Sequence, residues 1–181
     1  MNTEALKYSR MEYARRFLVP PEAVWKKFTE PYQKRHDDKY LSGSRLRLRI
    51  LTDSDSDRQI IKLTKKHESE SPYFRQIKTI ILTTDEYRIF YALKGKRVTK
   101  IRHYHHYKDL VFSIDVFENE LSGLVICEIE LNDLEDLMSA IPPPYVTCEV
   151  TEDPFFTGAG LARKSGEDLS NKLASLEQRM L

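Results

Sequence analysis

The sequence predicts an α+β fold built mainly from antiparallel β-strands. Three observations support this fold class. About eight segments alternate apolar and polar residues at the period of a β-strand, short turn-rich connections join several of them, and a few segments with helical spacing lie between them. The chain has 181 residues, of which 40% are hydrophobic, so one domain over residues 1–181 is expected.

The expected strands follow one another along the whole chain. They are residues 7–18, 45–51, 58–66, 74–82, 97–105, 110–117, 124–131 and 145–150. Several of the connections are too short for a crossover, and such links favour antiparallel hairpins.

Helices are expected in the remaining segments. Residues 20–28, PPEAVWKKF, begin with prolines suited to a first helical turn. TTDEYRIFYALKG has Thr84 as a candidate cap and Gly95 as a stop, and NDLEDLMSAI begins at a candidate cap, Asn132. From about residue 158 onward, leucines at helical spacing predict a C-terminal helix.

The overall charge excludes some classes of function. The chain has 29 basic and 28 acidic residues, a net charge of +1, so no general attraction to nucleic acid or anionic membranes is expected. No segment reaches the roughly 18 apolar residues of a membrane span, and the first residues lack a signal-peptide core. The two cysteines lack metal-type spacing. We therefore expect a cytoplasmic protein without a nucleic-acid or membrane partner, and the oligomeric state stays open.

Charged side chains share one face of several predicted strands. In SRLRLRI, Arg45, Arg47 and Arg49 alternate with apolar residues. The same alternation places together Lys62, Thr64 and Lys66, then Lys100 and Arg102, and then Glu128 and Glu130. An open sheet with one face in water would explain this pattern. Eight strands can also close with the charged face inward, and the pattern alone leaves both geometries open.

A charged lumen needs a ligand that compensates its charge. Basic side chains from several strands would converge on phosphate oxygens, which guanidinium groups bind in bidentate fashion. Glutamates would repel such an anion unless a divalent cation lay between them, and their hard oxygen atoms suit Mg²⁺ or Mn²⁺. The pattern therefore suggests a site for a metal ion and a polyphosphate.

The motifs resemble those of the CYTH superfamily, the triphosphate tunnel metalloenzymes. Seven matching segments occur in order between about residues 7 and 163. They are contained in MEYARRFLV, GSRLRLR, KLTKK, TKIRHY, IDVFENELSGLVICEIEL (an aspartate strand and an ExE pair) and CEVTEDPFFTGAGLA. The resemblance implies a closed eight-stranded antiparallel β-barrel, a tunnel with a charged lumen and surrounding helices. It also implies hydrolysis of a small-molecule triphosphate with Mg²⁺ or Mn²⁺.

The resemblance implies roles for the residues at matching positions. The phosphate-binding residues would be Arg47, Arg49, Lys66, Lys100 and Arg102. The metal ligands would be Glu12, Glu128 and Glu130. Arg16 and Asp115 would be catalytic residues of the tunnel, and Glu149 would be a further carboxylate.

Two positions depart from the family pattern. The motif ExExK is represented by Glu12, Ala14 and Arg16. Ala14 removes an expected metal ligand, so weaker or shifted metal binding is predicted. Arg16 stays protonated at any relevant pH and cannot serve as a base, although it can bind phosphate. Three functions remain open: a triphosphatase that prefers tripolyphosphate to a bulky nucleotide, an adenylate cyclase of the same fold, and a phosphate-binding protein without turnover.

Overall fold

The computed structural model describes residues 9–21 and 24–180. The main strands are Ser9–Leu18 (β1), Gln33–Leu41 (β2), Leu46–Asp53 (β3), Gln59–Lys66 (β4), Phe74–Leu82 (β5), Gly95–Tyr107 (β6), Leu110–Phe117 (β7) and Val125–Leu131 (β8). They pair antiparallel around a complete ring in the order β1, β5, β4, β3, β2, β6, β7 and β8, and β8 pairs again with β1. The predicted closed eight-stranded barrel is confirmed.

Strand β1 closes the ring because it has partners on both edges. Its first half pairs with β5, where Glu12 lies opposite Arg75, and its second half pairs with β8, where Arg16 lies opposite Glu128. Successive side chains of a strand point to opposite faces. Each strand therefore has one face in the lumen and the other on the outside of the barrel.

Strand β2 was not predicted from the sequence. Its segment, QKRHDDKYL, is polar on both faces and lacks the apolar alternation that marked the other strands. The outward face meets solvent, and the inward face carries charged and polar side chains because it lines the lumen. Its inward residues are Lys34, His36, Asp38 and Tyr40.

The predicted strand at residues 145–150 was wrong in extent. Only Cys148–Glu149 (β9) forms a strand, which pairs with the end of β1 and does not belong to the ring. The preceding residues are used in a turn, where the amide of Val146 donates to the carbonyl of Pro143 over 3.2 Å. The eighth strand of the barrel is therefore β2. The first two residues of the predicted strand 7–18 lie outside the described residues.

Four α-helices and three 3₁₀ turns surround the barrel in the described residues. The helices are Thr84–Tyr91 (α1), Leu134–Ser139 (α2), Gly158–Leu161 (α3) and Gly166–Met180 (α4), and the turns are Val24–Lys27, Asn119–Leu121 and Pro154–Phe156. None of the described helices is long and apolar enough to cross a membrane.

The helix caps lie one residue away from the predicted positions. Thr83, not Thr84, caps α1, because its hydroxyl accepts from the amide of Glu86 and the Glu86 carboxylate accepts from the amide of Thr83. Asp133, not Asn132, caps α2 by accepting from two backbone amides.

Two predicted helices differ in extent. The segment 20–28 contains only the 3₁₀ turn, and its residues 22–23 lie outside the described part of the chain. The predicted tail helix is divided into α3 and α4 by residues 162–165.

Apolar clusters cover the outside of the barrel and close one end of it. The cluster at the end where β1 and β7 finish includes Leu18, Val98, Phe117, Ile126, Phe156, Leu161 and Leu169, so α3 and α4 help to plug this end. A second cluster lies outside β1, β7 and β8 beneath α2, and a third lies beneath α1. The apolar faces of the strands thus point to the helices, and the charged faces point inward.

Candidate active site

The inward faces of the strands enclose a cavity of about 400 Å³, which we call the tunnel. Ten of the eleven candidate site residues selected from the sequence line it: Glu12, Arg16, Arg47, Arg49, Lys66, Lys100, Arg102, Asp115, Glu128 and Glu130. Six polar residues to which the sequence analysis assigned no role also line it: Arg10, Asp38, Tyr40, Lys62, Thr64 and Thr79. The two-residue period brings the selected side chains together because the ring closes with their faces inward.

Asp115 is the centre of one ion-pair network in the tunnel. Its carboxylate accepts from Lys100 and, over 2.6 and 2.7 Å, from Nε and Nη2 of Arg102. Arg102 also donates to Glu128 over 2.6 Å. Burial raises the pKa of Asp115, but the charges of Arg102 and Lys100 outweigh burial and hold that pKa well below its usual range. Burial also raises the pKa of Glu128, but nearby positive charges, chiefly that of Arg102, lower it to about 2.

Asp38 forms a second network that the sequence analysis missed. It lies opposite Arg49 in the β2–β3 pair and binds the guanidinium in bidentate fashion, with 2.5 Å between Nη2 and Oδ2. Burial raises the pKa of Asp38, and the neighbouring Arg49 and Arg47 lower it further than burial raises it. The alternation of Lys34, His36 and Asp38 was the signal in the sequence that could have indicated a strand facing the lumen.

His36 lies next to this network and is buried. Burial and the charges of Arg49 and Arg102 depress its pKa strongly, so the imidazole is neutral. Its Nδ1 has no hydrogen-bond partner in the described part of the chain.

Two more carboxylates of the tunnel contact cations. Glu12 Oε1 lies 2.6 Å from Lys66 Nζ, and Glu130 Oε1 lies 2.7 Å from Arg10 Nη1 at the more exposed end. Burial raises the pKa of Glu12, but the charge and hydrogen bond of Lys66 hold it below its usual value. Burial lowers the pKa of Lys66 despite this partner.

Three guanidinium groups facing the lumen have no carboxylate partner among the described residues. They are those of Arg16, Arg47 and Arg75. Arg16 donates to the backbone carbonyl of Thr151 over 3.1 Å, and the buried Nε atoms of Arg16 and Arg47 have no partner in the described chain. Burial and the charge of Arg16 lower the pKa of Arg75. This part of the lumen therefore carries concentrated positive charge that an anion would compensate.

Comparisons with known proteins agree with this fold. An inorganic triphosphatase of Nitrosomonas europaea is 33% identical over 97 residues, which are 52% of this chain and 64% of that protein. The chain thus matches less than two thirds of the length of this relative. The solved structure of the hypothetical protein NE1496 has a TM-score of 0.55 and 25% identity, with 85% of this chain and 99% of that chain covered. The chain is thus similar to an inorganic triphosphatase over about half of its length, and it shares the fold of NE1496 over most of its length.

Further structures share the CYTH-like fold. The inorganic triphosphatase NE1496 has a TM-score of 0.54 and 24% identity, with coverage of 84% of this chain and 95% of that chain. A putative adenylate cyclase from Bacillus halodurans has a TM-score of 0.50 and 15% identity, with coverage of 83% and 100%. No family model matches the chain.

The carboxylates of the tunnel fit a hydrated ion shared with a substrate better than a site made by the protein alone. Among the described residues, no three His, Cys, Asp or Glu side chains converge to hold a metal. Mg²⁺ is usually bound by one or two carboxylates, several waters and substrate phosphates. Glu12 and Glu128 meet this requirement, since both line the tunnel and are close enough for the charge of Glu128 to raise the pKa of Glu12.

Two positions explain why the carboxylate set is small. Ala14, which is 6% exposed, lies opposite Glu130 on the inward face of β1, at the place where the family pattern has a second glutamate. Glu149 does not line the tunnel: its carboxylate pairs with the outward-facing Arg15, over 3.0 Å to Nε and 2.7 Å to Nη2. The prediction of Glu149 as a tunnel carboxylate was therefore wrong, because β9 lies beside the end of β1 and outside the ring.

Proposed function

We propose that this protein hydrolyses a linear triphosphate, with inorganic tripolyphosphate as the preferred substrate, in the tunnel and with Mg²⁺ or Mn²⁺. The observation that carries the proposal is the pair Arg16 and Arg47, which line the tunnel beside the ionised Glu12 and Glu128 and have no carboxylate partner among the residues that the structure describes. The relative from Nitrosomonas europaea, an inorganic triphosphatase, supports the same substrate class.

The basic residues would bind and orient the phosphates. Arg47 and Arg16 can donate to phosphate oxygens without breaking an ion pair. Four further cations, Arg49, Lys66, Lys100 and Arg102, now contact carboxylates and would share their donors with the substrate. Phosphoryl transfer depends mainly on such positioning and charge neutralisation, so this donor set suits the reaction.

The acidic residues would have two different roles. Glu12 and Glu128 would hold the divalent cation, with Glu130 as a third candidate ligand nearer the exposed end. A divalent cation held there would supply neutralisation of the phosphate charge and a more acidic water. Asp115 would be a positioning residue, because its low pKa makes it a poor base and its carboxylate fixes Lys100 and Arg102.

Arg16 would stabilise charge and would not accept a proton. Its guanidinium stays protonated, and the carbonyl of Thr151 holds it in place. The fixed positive charge of Arg16 would therefore stabilise the negative charge that develops on the substrate oxygens during the reaction.

The first test is phosphate release from tripolyphosphate, with ATP in parallel, over a range of Mg²⁺ and Mn²⁺ concentrations. We expect turnover of tripolyphosphate that stops when a chelator is added. In Ala14→Glu, the new carboxylate opposite Glu130 should lower the metal concentration needed for half the maximal rate, and calorimetric Mn²⁺ titration without substrate should show tighter binding.

The other outcomes separate the rival functions. Cyclic AMP formed from ATP would indicate the cyclase. Tripolyphosphate binding without turnover in either protein would indicate a phosphate-binding protein. Folded wild-type and Ala14→Glu proteins that neither bind nor hydrolyse tripolyphosphate would contradict the proposal.

A further inference from the structure

A second cavity of about 660 Å³ opens from the tunnel. It lies between the β2–β3 turn, the β4–β5 loop and the start of α3. Five residues line both spaces: Arg16, Tyr40, Arg47, Lys66 and Gly158. The two cavities therefore form one continuous path from the middle of the barrel to the surface.

The second cavity is strongly basic. Positive side chains from several elements line it, namely Arg45, Arg75, Lys96 and Arg163, in addition to the shared Arg16, Arg47 and Lys66. Its carboxylate is Glu68, which pairs with Arg45 and is 82% exposed, so an incoming anion can replace it at small cost. Neither Lys96 nor Arg163 has a carboxylate partner among the described residues.

Strand β3 and the residue that precedes it carry a row of guanidiniums along this path. Arg49 lines the tunnel, Arg47 lines both cavities, and Arg45 lines the second one. They alternate on one face of the chain, so successive members are about 7 Å apart along the strand direction. A linear polyanion lying along the path would meet them one after another.

We propose that the second cavity binds the phosphate groups beyond the third of a linear inorganic polyphosphate, so that the protein binds chains longer than tripolyphosphate. The inference rests on the proposed function, because the first three phosphates occupy the tunnel. The observations favour this ligand over a nucleoside, since Tyr40, whose ring is the phenyl-type ring lining the second cavity among the described residues, is held against Gly158 and is not free to stack on a base. A cationic organic group would be repelled.

The test compares the binding of tripolyphosphate and of a long-chain polyphosphate by calorimetry, with a chelator present so that no turnover consumes the ligand. The ligand concentrations are those of whole polyphosphate molecules, not of phosphate units. In the wild type, we expect the long chain to bind about tenfold more tightly, since a few additional charge-assisted contacts exceed the 1.4 kcal/mol that a factor of ten requires.

The variant Lys96→Gln/Arg163→Gln tests the second cavity directly. Both residues are exposed, so the substitutions should leave the fold intact. We expect the ratio of the two affinities to fall toward one. The matched control is Arg88→Gln, which removes an exposed arginine of α1 that lines neither cavity, and it should keep the wild-type ratio. A long polyphosphate offers the same larger number of binding positions to all three proteins, so the fall of the ratio from wild type to the double variant measures the contribution of the second cavity.

Several results would overturn the inference. Equal affinities in the wild type would do so, as would an unchanged ratio in the double variant or an equal fall of the ratio in Arg88→Gln. If tripolyphosphate is bound and hydrolysed but the long-chain polyphosphate binds no more tightly, this inference is wrong and the proposed function stands. If the folded protein neither binds nor hydrolyses either ligand, the proposed function fails with it.

Discussion

At the residue scale, the carboxylates of the lumen decide which cations are available to a ligand. Asp38 and Asp115 hold Arg49, Lys100 and Arg102 in buried ion pairs, whereas Arg16 has no carboxylate partner in the described chain. Buried pairs of this kind are strongly destabilising when one partner is removed, because the other charge is left without compensation. The pairs therefore keep a highly charged lumen stable before a substrate binds.

The substitution Asp38→Asn tests this stabilisation. At pH 7, the free energy of unfolding should fall by about 3 kcal/mol, because Arg49 remains buried without a negative partner. The pKa of Asp38 is depressed in the folded state, so its contribution is present above the unfolded pKa of about 3.9 and is lost as the pH falls below that value. The difference between wild type and variant should therefore shrink below about pH 4. Urea denaturation at pH 7 and in acid measures both values.

Asp37→Asn is the matched control, since Asp37 is the neighbouring residue on the outward face and pairs with the exposed Arg97. It should change the free energy of unfolding by less than about 1 kcal/mol. A pH-independent difference for Asp38→Asn, or the same loss in Asp37→Asn, would show that the buried pair is not the cause.

At the element scale, the position of α3 depends on a glycine. Gly158 begins this helix, and a Cβ atom there would clash with Oη of Tyr40 and lie 2.9 Å from its Cζ. The absence of a side chain at this position lets α3, which closes this end of the barrel, approach β2. Gly158 and Tyr40 also lie where the two cavities meet, so the same contact shapes the path between them.

We predict that Gly158→Ala lowers the free energy of unfolding by about 1–3 kcal/mol, because the helix or the tyrosine ring must move. Tyr40→Phe removes the hydroxyl that meets the new methyl group. The double variant should therefore be more stable than the sum of the two single effects, by at least about 0.5 kcal/mol. Denaturant titration of the four proteins measures the coupling, and strictly additive effects would contradict the close contact.

At the scale of the whole molecule, strand periodicity predicted much of the lumen, and ring closure explains why. Once the strands form a barrel, alternate residues such as Arg47 and Lys100 must face inward. The sequence did not reveal β2, because a strand with one face in solvent and the other in a charged lumen has no apolar alternation. Asp38 was missed for that reason. The outward position of Glu149 could not be predicted because it depends on how β9 meets the end of β1.

The central claim is that the guanidinium groups of the tunnel that have no carboxylate partner in the described part of the chain bind the phosphates. The most direct measurement is calorimetric titration of tripolyphosphate into wild type, Arg47→Gln and Arg88→Gln. Loss of a charge-assisted hydrogen bond costs about 1.5–3 kcal/mol, so Arg47→Gln should weaken binding by about tenfold or more. Arg88→Gln should bind as the wild type does. Unchanged affinity in Arg47→Gln, or equal loss in both variants, would contradict the account.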